Sequence, residues 1–311
     1  MPRAFLKPQI TDGFFLFFFS FSFSGTPGTS VSSYMENSRS YGSYRRGRYM
    51  FPIDEEEKDR LDMFHKLLTL ARNNRYWDAP LPERARVLDL GTGTGIWAID
   101  VSDRLWKGPN NHGLVHGLDL SFIQPPDVPS SVSFMQADIE EPWPVHEMDY
   151  DLIHIQMLLG SIRDWTDLYR KHIRPGGFLE HIEVEWQFRT DDNSLSPDSC
   201  LVTWSDALHR AMRTAGVPLD VNERTKSELR AIGFTDVTET IIQLPINPWT
   251  HERRQRELGR WFNLALTHSI DALSLAPLTR VERWPADKVF SLSAEVKRKL
   301  CDLRTHAYCR L

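Results

Sequence analysis

Short apolar runs alternate along the chain with segments whose apolar residues recur every three or four positions, the alternation of strand and helix expected of an α/β fold. Residues 86–90 are an apolar run closed by glycine and predict a buried strand. From Gly95 onward, Ile96, Ile99 and Val101 fall at helical spacing. Upstream, Leu61, Phe64, Leu67, Leu68 and Ala71 predict a helix, with Glu55, Glu56 and Glu57 in the first turn, where the helix dipole favours acids. This helix is expected to pack over the mouth of the site. Residues 114–118, 132–136, 150–156 and 178–187 predict four further strands, and 165–173 a helix closed by Arg174-Pro-Gly-Gly177. Helices follow at 200–215, 222–232, 253–275 and 286–304, with a sixth strand at 234–244. Residues 306–311 read as the start of a strand with no room to finish.

Strand, glycine loop and helix at 86–100 form the nucleotide-cradling unit of doubly wound α/β proteins. The glycines stand at 91, 93 and 95, giving G-x-G-x-G and not the G-x-G-x-x-G of dinucleotide binders. Asp89 beside the loop would repel a pyrophosphate. It suits a ligand with positive charge, and S-adenosylmethionine carries an ammonium and a sulfonium. Asp89, Gly91, Thr92, Gly93 and Gly95 are thus candidate cofactor contacts. Asp119, at the end of the second sheet strand and 24 residues beyond Gly95, is placed to accept bonds from ribose hydroxyls, with Leu120 beside it. Asp138 and Ile139 follow the third strand; they are candidates for the adenine amino group and a ring face. Tyr49 and Trp97 are weaker candidates, Trp97 reading equally as packing between helix and sheet.

Composition changes this picture at the N-terminus only. Residues 14–23 are almost all Phe and Ser, and eight of the 17 Phe lie before residue 24. The run imitates a signal peptide but is too short and too interrupted for a membrane span. A secretory signal, a disordered arm and translation from a misplaced start are all compatible with it. Met35 opens ordinary composition, and the functional protein is expected to begin there. Residues 35–50 read as a flexible arm whose cluster Tyr44-Arg-Arg-Gly-Arg-Tyr49 is solvated charge or a weak nuclear import signal. Residues 1–48 are therefore expected to be leader and disordered arm, and 49–311 the cofactor-binding domain. A net charge of −5 gives no case for a nucleic-acid-binding body. Three cysteines without C-x-x-C fit a reducing compartment, with neither disulfides nor a zinc cluster.

The fifth strand is unusual: His181, Glu183, Glu185 and Gln187 alternate with Ile182, Val184 and Trp186, where a strand covered on both faces should be apolar. With His154, these supply the candidate bases His154, His181, Glu183 and Glu185. For each, a satisfied structural side chain is the better reading, and no catalytic residue is assigned.

From about residue 44 to 308 the sequence resembles the LaeA-type fungal methyltransferases. The match is carried by Tyr49-Met-Phe-Pro-Ile-Asp-Glu-Glu-Glu57, Arg60-Leu-Asp-Met-Phe-His65, the loop segment Val87 to Asp100, Leu118-Asp-Leu-Ser121 and Ile123-Gln-Pro125. It continues in Tyr150-Asp-Leu-Ile-His-Ile-Gln-Met-Leu-Leu-Gly-Ser-Ile162, Arg174-Pro-Gly-Gly-Phe-Leu-Glu-His-Ile-Glu183, Gly259-Arg-Trp-Phe-Asn-Leu-Ala-Leu-Thr267 and Ala272-Leu-Ser-Leu-Ala-Pro-Leu-Thr279. The resemblance implies a class I, Rossmann-like methyltransferase: a mostly parallel seven-stranded sheet with helices on both faces, its last strand here truncated. It implies S-adenosylmethionine as cofactor, a nuclear location, velvet-family protein partners, control of secondary metabolism and development, and self-methylation as the attributed activity. The alternative is a small-molecule methyltransferase within one biosynthetic pathway. A third variant keeps the fold as a scaffold without turnover.

Overall fold

The computed structural model describes residues 32–106, 113–145, 150–170, 174–220 and 224–311. The leader, residues 1–31, lies outside them. Residues 31–311 form one compact unit.

The described residues begin with a hairpin, β1 (Ser33–Glu36) and β2 (Arg39–Gly42), which corrects the expectation of a disordered arm there. Tyr41 and Arg39 are buried. Arg39 donates to both oxygens of Asp54 at 2.8 and 2.7 Å. Asp54 also caps helix α1 (Glu55–Ala71) by accepting from Glu57 N. From the other side Arg280 reaches Glu36 at 2.8 Å and the Tyr34 hydroxyl at 3.0 Å. Arg39 and Tyr34, in a stretch read as leader and flexible arm, are held by partners remote in sequence.

The central sheet contains β3 (Arg86–Leu90), β4 (Leu114–Asp119), β5 (Val132–Gln136), β6 (Leu152–Gln156) and β7 (Phe178–Ile182), all parallel, in the order β5-β4-β3-β6-β7. Strand order reverses between β3 and β6, β4 and β5 adding on one side and β7 on the other, so a crevice opens over their carboxyl ends. Side-chain alternation divides the strands between two cores. Val87, Val115, Val132 and Leu152 face Trp97, Ala98 and Val101 of α2 (Ile96–Leu105). Leu88, Leu90, Leu118, Ile153 and Ile155 lie with Leu168 and Tyr169 of α3 (Trp165–Arg170).

A third core joins α1 to α4 (Cys200–Thr214), α6 (Arg253–Ala276) and α7 (Ala286–Leu300), whereas α5 (Thr225–Ile232) packs beside α3. The expectation of seven strands in one sheet is corrected here. The strand predicted at 178–187 ends at Ile182, where the Glu183 carboxylate turns to accept Leu158 N and Leu159 N at 2.8 and 3.2 Å. The chain then forms a separate antiparallel sheet of β8 (Arg189–Thr190), β9 (Gln243–Pro245) and β10 (Ala307–Arg310), with β10 in the middle. Of the strand predicted at 234–244, only its end is a strand. The supposedly truncated C-terminus pairs on both sides, and Ile242 and Leu311 exchange both backbone bonds at 2.9 Å.

Candidate functional site

The crevice is a cleft of about 990 Å³ open to solvent, walled by the ends of β3, β4, β5 and β6 on one side and α1 on the other. Gly91, Gly93 and Gly95 have φ of 67°, 57° and 80°, a region disfavoured for side-chain-bearing residues. A Cβ at Gly91 would lie 2.3 Å from Leu158 Cδ2, and one at Gly95 2.4 Å from Phe134 Cζ. Packing therefore demands two of the glycines as strictly as the turn does. Gly91 N and Thr92 N donate to Leu118 O at 2.8 and 3.1 Å, tying the loop to the end of β4.

Three carboxylates are set along the cleft. Asp89 is buried and accepts from Thr92 Oγ1 at 2.6 Å. Burial pushes its carboxyl up to about 7; the Thr92 bond opposes this and the charge of Asp119 adds to it. Asp119 accepts from Gly93 N at 2.9 Å and Ser121 N at 2.8 Å. Burial raises it to about 6 against the pull of the Ser121, Gly93 and Leu120 N–H bonds. Asp138 accepts from Glu140 N at 3.1 Å through Oδ1, while its buried Oδ2 makes no hydrogen bond. The nearest cation to that oxygen is Arg48 Nε, 3.4 Å away. Leu120 and Ile139 supply apolar wall beside these acids, and Tyr49 closes the cleft from above the sheet. Burial raises the Tyr49 hydroxyl far above its ordinary value, with the Glu57 charge adding, so it stays a neutral donor.

Residues 56–239 match the model of a methyltransferase domain family. The secondary metabolism regulator LAE1 of Cochliobolus heterostrophus is 43% identical over 287 residues, spanning 89% of this chain and 92% of that protein. The protein-methionine methyltransferase laeA of Emericella nidulans is 44% identical over 279 residues, spanning 88% and 73%. The secondary metabolism regulator laeA of Gibberella zeae is 42% identical over 288 residues, spanning 89% of each. The chain belongs to the LaeA family of methyltransferases.

Within this LaeA-family chain the four candidate bases lie off the cleft walls. His154 is fully buried beneath Trp97, ring centroids 3.6 Å apart and planes 3° from parallel, and neither nitrogen has a hydrogen-bond partner. Burial, with the nearby charges of Arg72 and His65, keeps it neutral well below its ordinary range. His181 bridges Glu183 at 2.9 Å and the Tyr169 hydroxyl at 3.0 Å. Glu183 caps the loop after β6, and Glu185 pairs with Arg189 at 2.9 Å. Their surroundings are those of structural side chains.

Three wall residues were not read as site residues. Arg60 is clamped by Glu57 at 2.8 and 2.6 Å, one turn apart on the cleft side of α1. His65 Nε2 meets Asp100 at 2.9 Å, leaving Nδ1 without a partner. Arg48 belonged to the cluster read as solvated or as an import signal; it instead pairs with Glu140 at 2.7 Å. The Glu57–Arg60 pair was available in sequence as an i, i+3 spacing. The other two rest on contacts 35 and 92 residues apart.

Proposed function

We propose that the cleft binds S-adenosylmethionine and that the protein is a nuclear regulator of secondary-metabolite genes and development, working with velvet-family proteins and methylating a protein acceptor, itself included. The observation carrying the cofactor reading is the series of acceptors along one cleft. Asp138 Oδ2 is a buried oxygen without a hydrogen bond, suited to an adenine amino group. Asp119 suits two ribose hydroxyls, and Asp89 an ammonium. Leu120 and Ile139 suit the faces of a ring. When bound, the cofactor supplies a methyl group on a sulfonium, a good leaving group. The chain then has to align the acceptor and exclude water, worth up to ~7–11 kcal/mol for well-oriented reactants. A thioether carries no proton to remove, so none of His154, His181, Glu183 and Glu185 is required as a base.

The regulator reading is supported by the names of the relatives above, and the thioether reading by the relative named a protein-methionine methyltransferase. Met157 lines the cleft, which supports an acceptor within the chain itself. Calorimetric titration of S-adenosylmethionine tests the cofactor reading. Asp119→Ala should weaken binding at least tenfold, the ~1.5–3 kcal/mol of charge-assisted bonds. If folded wild type does not bind, the reading falls. A fluorescent fusion excluded from the nucleus would remove the regulator role and leave the pathway enzyme.

A further inference from the structure

The outward face of α6 carries charge that the fold does not use. Arg253, Arg256, Glu257 and Arg260 are exposed at positions one and two helical turns apart, and exposed Leu264 continues the stripe. The first four, with half-buried Trp261, line a shallow groove. Among the described residues, Arg253, Arg256 and Arg260 make no ion pair and no side-chain hydrogen bond. Several other arginines are engaged by the fold. Arg254 turns inward to donate to Ala71 O at 2.8 Å. Arg189, Arg210, Arg213 and Arg280 each meet a carboxylate within 2.9 Å.

The placement also works against α6. Cations in the first two turns oppose the helix dipole, which favours acids there. The cap Glu252, which accepts from Arg254 N and Gln255 N, answers the dipole, and the first turn itself holds no acid. In a chain of net charge −5, these three arginines gathered at a helix start gain nothing from an ion pair or side-chain hydrogen bond within the described residues. They complement an external anion. Glu257, in the middle of the groove, restricts which kind. A polyanion with charge at every unit would meet that carboxylate, whereas a polypeptide can set an apolar residue against it. Trp261 and Leu264 offer apolar surface at one end of the stripe. From Arg253 to Arg260 the helix rises ~10 Å, the length of about three extended residues.

We propose that this face of α6 docks an acidic, partly apolar segment of a partner protein. Its carboxylates meet Arg253, Arg256 and Arg260, and an apolar side chain meets Trp261 and Leu264. The test is fluorescence anisotropy of the full chain with a labelled probe peptide, Glu-Asp-Leu-Glu-Glu-Phe-Asp-Glu, at 50 and 200 mM NaCl. Wild type should bind, more weakly at the higher salt. Arg256→Glu with Arg260→Glu should weaken binding at least tenfold. Arg230→Glu with Arg298→Glu makes the same charge change at exposed sites elsewhere and should alter binding less than twofold. Leu264→Ala should weaken the Leu- and Phe-containing probe but not an all-acidic peptide. All are surface positions, and unchanged circular dichroism and melting confirm the fold of each variant. The proposal is overturned if wild type does not bind, or if both double variants lose affinity equally, which is bulk charge. It is also overturned if a twelve-nucleotide oligothymidine binds through the same arginines more tightly than the peptide, which marks a polyanion site.

Discussion

Asp89, buried, and Asp119, half-buried, sit near the ends of adjacent strands, with carboxyls raised to about 7 and about 6. Raised carboxyls mean that the folded state holds protons the unfolded chain has already lost between about pH 4 and 7. Stability from these two groups is therefore present at low pH and falls as pH rises through that window, each unit of difference being ~1.4 kcal/mol. A cationic ligand has the opposite preference, because it needs them ionised. The ligand-free protein should melt lower at pH 7.5 than at pH 5.5 relative to Asp89→Asn, while affinity for S-adenosylmethionine should rise with pH, by up to about tenfold per unit where one proton is released. Calorimetry in buffers of different ionisation heat counts that proton; a pH-independent affinity would show the acids already ionised. At Gly91 the side chain and the backbone can be separated. Gly91→Ala combines a φ of 67° with a Cβ 2.3 Å from Leu158 Cδ2, and should cost at least ~1–3 kcal/mol in urea unfolding. Adding Leu158→Ala relieves the clash but not the φ, so recovery beyond the single Leu158→Ala background should be partial. The acids and glycines were legible because strand ends next to a glycine loop announce themselves locally. His65 was not: at helical spacing it is one more position on an amphipathic helix, and its meaning comes from Asp100 on α2.

Among elements, those with long apolar periodicity matched prediction closely, α4 and α6 within a residue at each end and α2 within a residue at its start. The elements that were missed are short. β1, β2 and β8 have two to four residues each and little apolar alternation, so their pairing partners create them. The hairpin depends on two arginines from different parts of the fold. Arg39 ties it to Asp54 at the head of α1, and Arg280 ties it to the π-helical turn Pro277–Val281. Arg39→Ala frees a carboxylate that also caps α1, and should destabilise by ~1–3 kcal/mol, less than for a fully buried pair because Asp54 is partly exposed. Arg280→Ala should leave α1 intact and loosen the hairpin alone. Limited proteolysis then cuts first between residues 37 and 48 in that variant. If cutting there is no faster than in wild type, the hairpin is held by its apolar contacts and not by its ion pairs.

At the scale of the molecule, the five-stranded sheet carries the acids and glycine loop while a separate helical core supplies the wall that faces them. α1 belongs to both: Leu61 lines the cleft, and Phe64, Leu67 and Leu68 are buried with α4, α6 and the antiparallel sheet. That second core was the least legible part of the chain. By length β10 was expected to be an unfinished strand; its backbone groups are paired with β8 on one side and with β9 on the other. Glu185 N also donates to Arg310 O at 2.8 Å, and Trp249 Nε1 to Ala307 O at 3.1 Å, so two remote stretches of chain, 185–190 and 242–249, close on these last residues. Cys309 lies fully buried among them, its thiol raised by burial and so neutral. Deleting residues 308–311 removes the shared middle of a three-stranded sheet, and neither β8 nor β9 has another partner in it. Because α1 joins this core to the cleft, the loss should travel. The deletion should lower the melting temperature by at least ~10 °C and weaken cofactor affinity, although no deleted residue lines the cleft. Thermal unfolding of wild type should be one transition, with far-ultraviolet dichroism and tryptophan fluorescence superimposable. If the truncated protein instead binds cofactor normally while only fluorescence shifts early, the two cores unfold independently and α1 is held in place by the sheet alone.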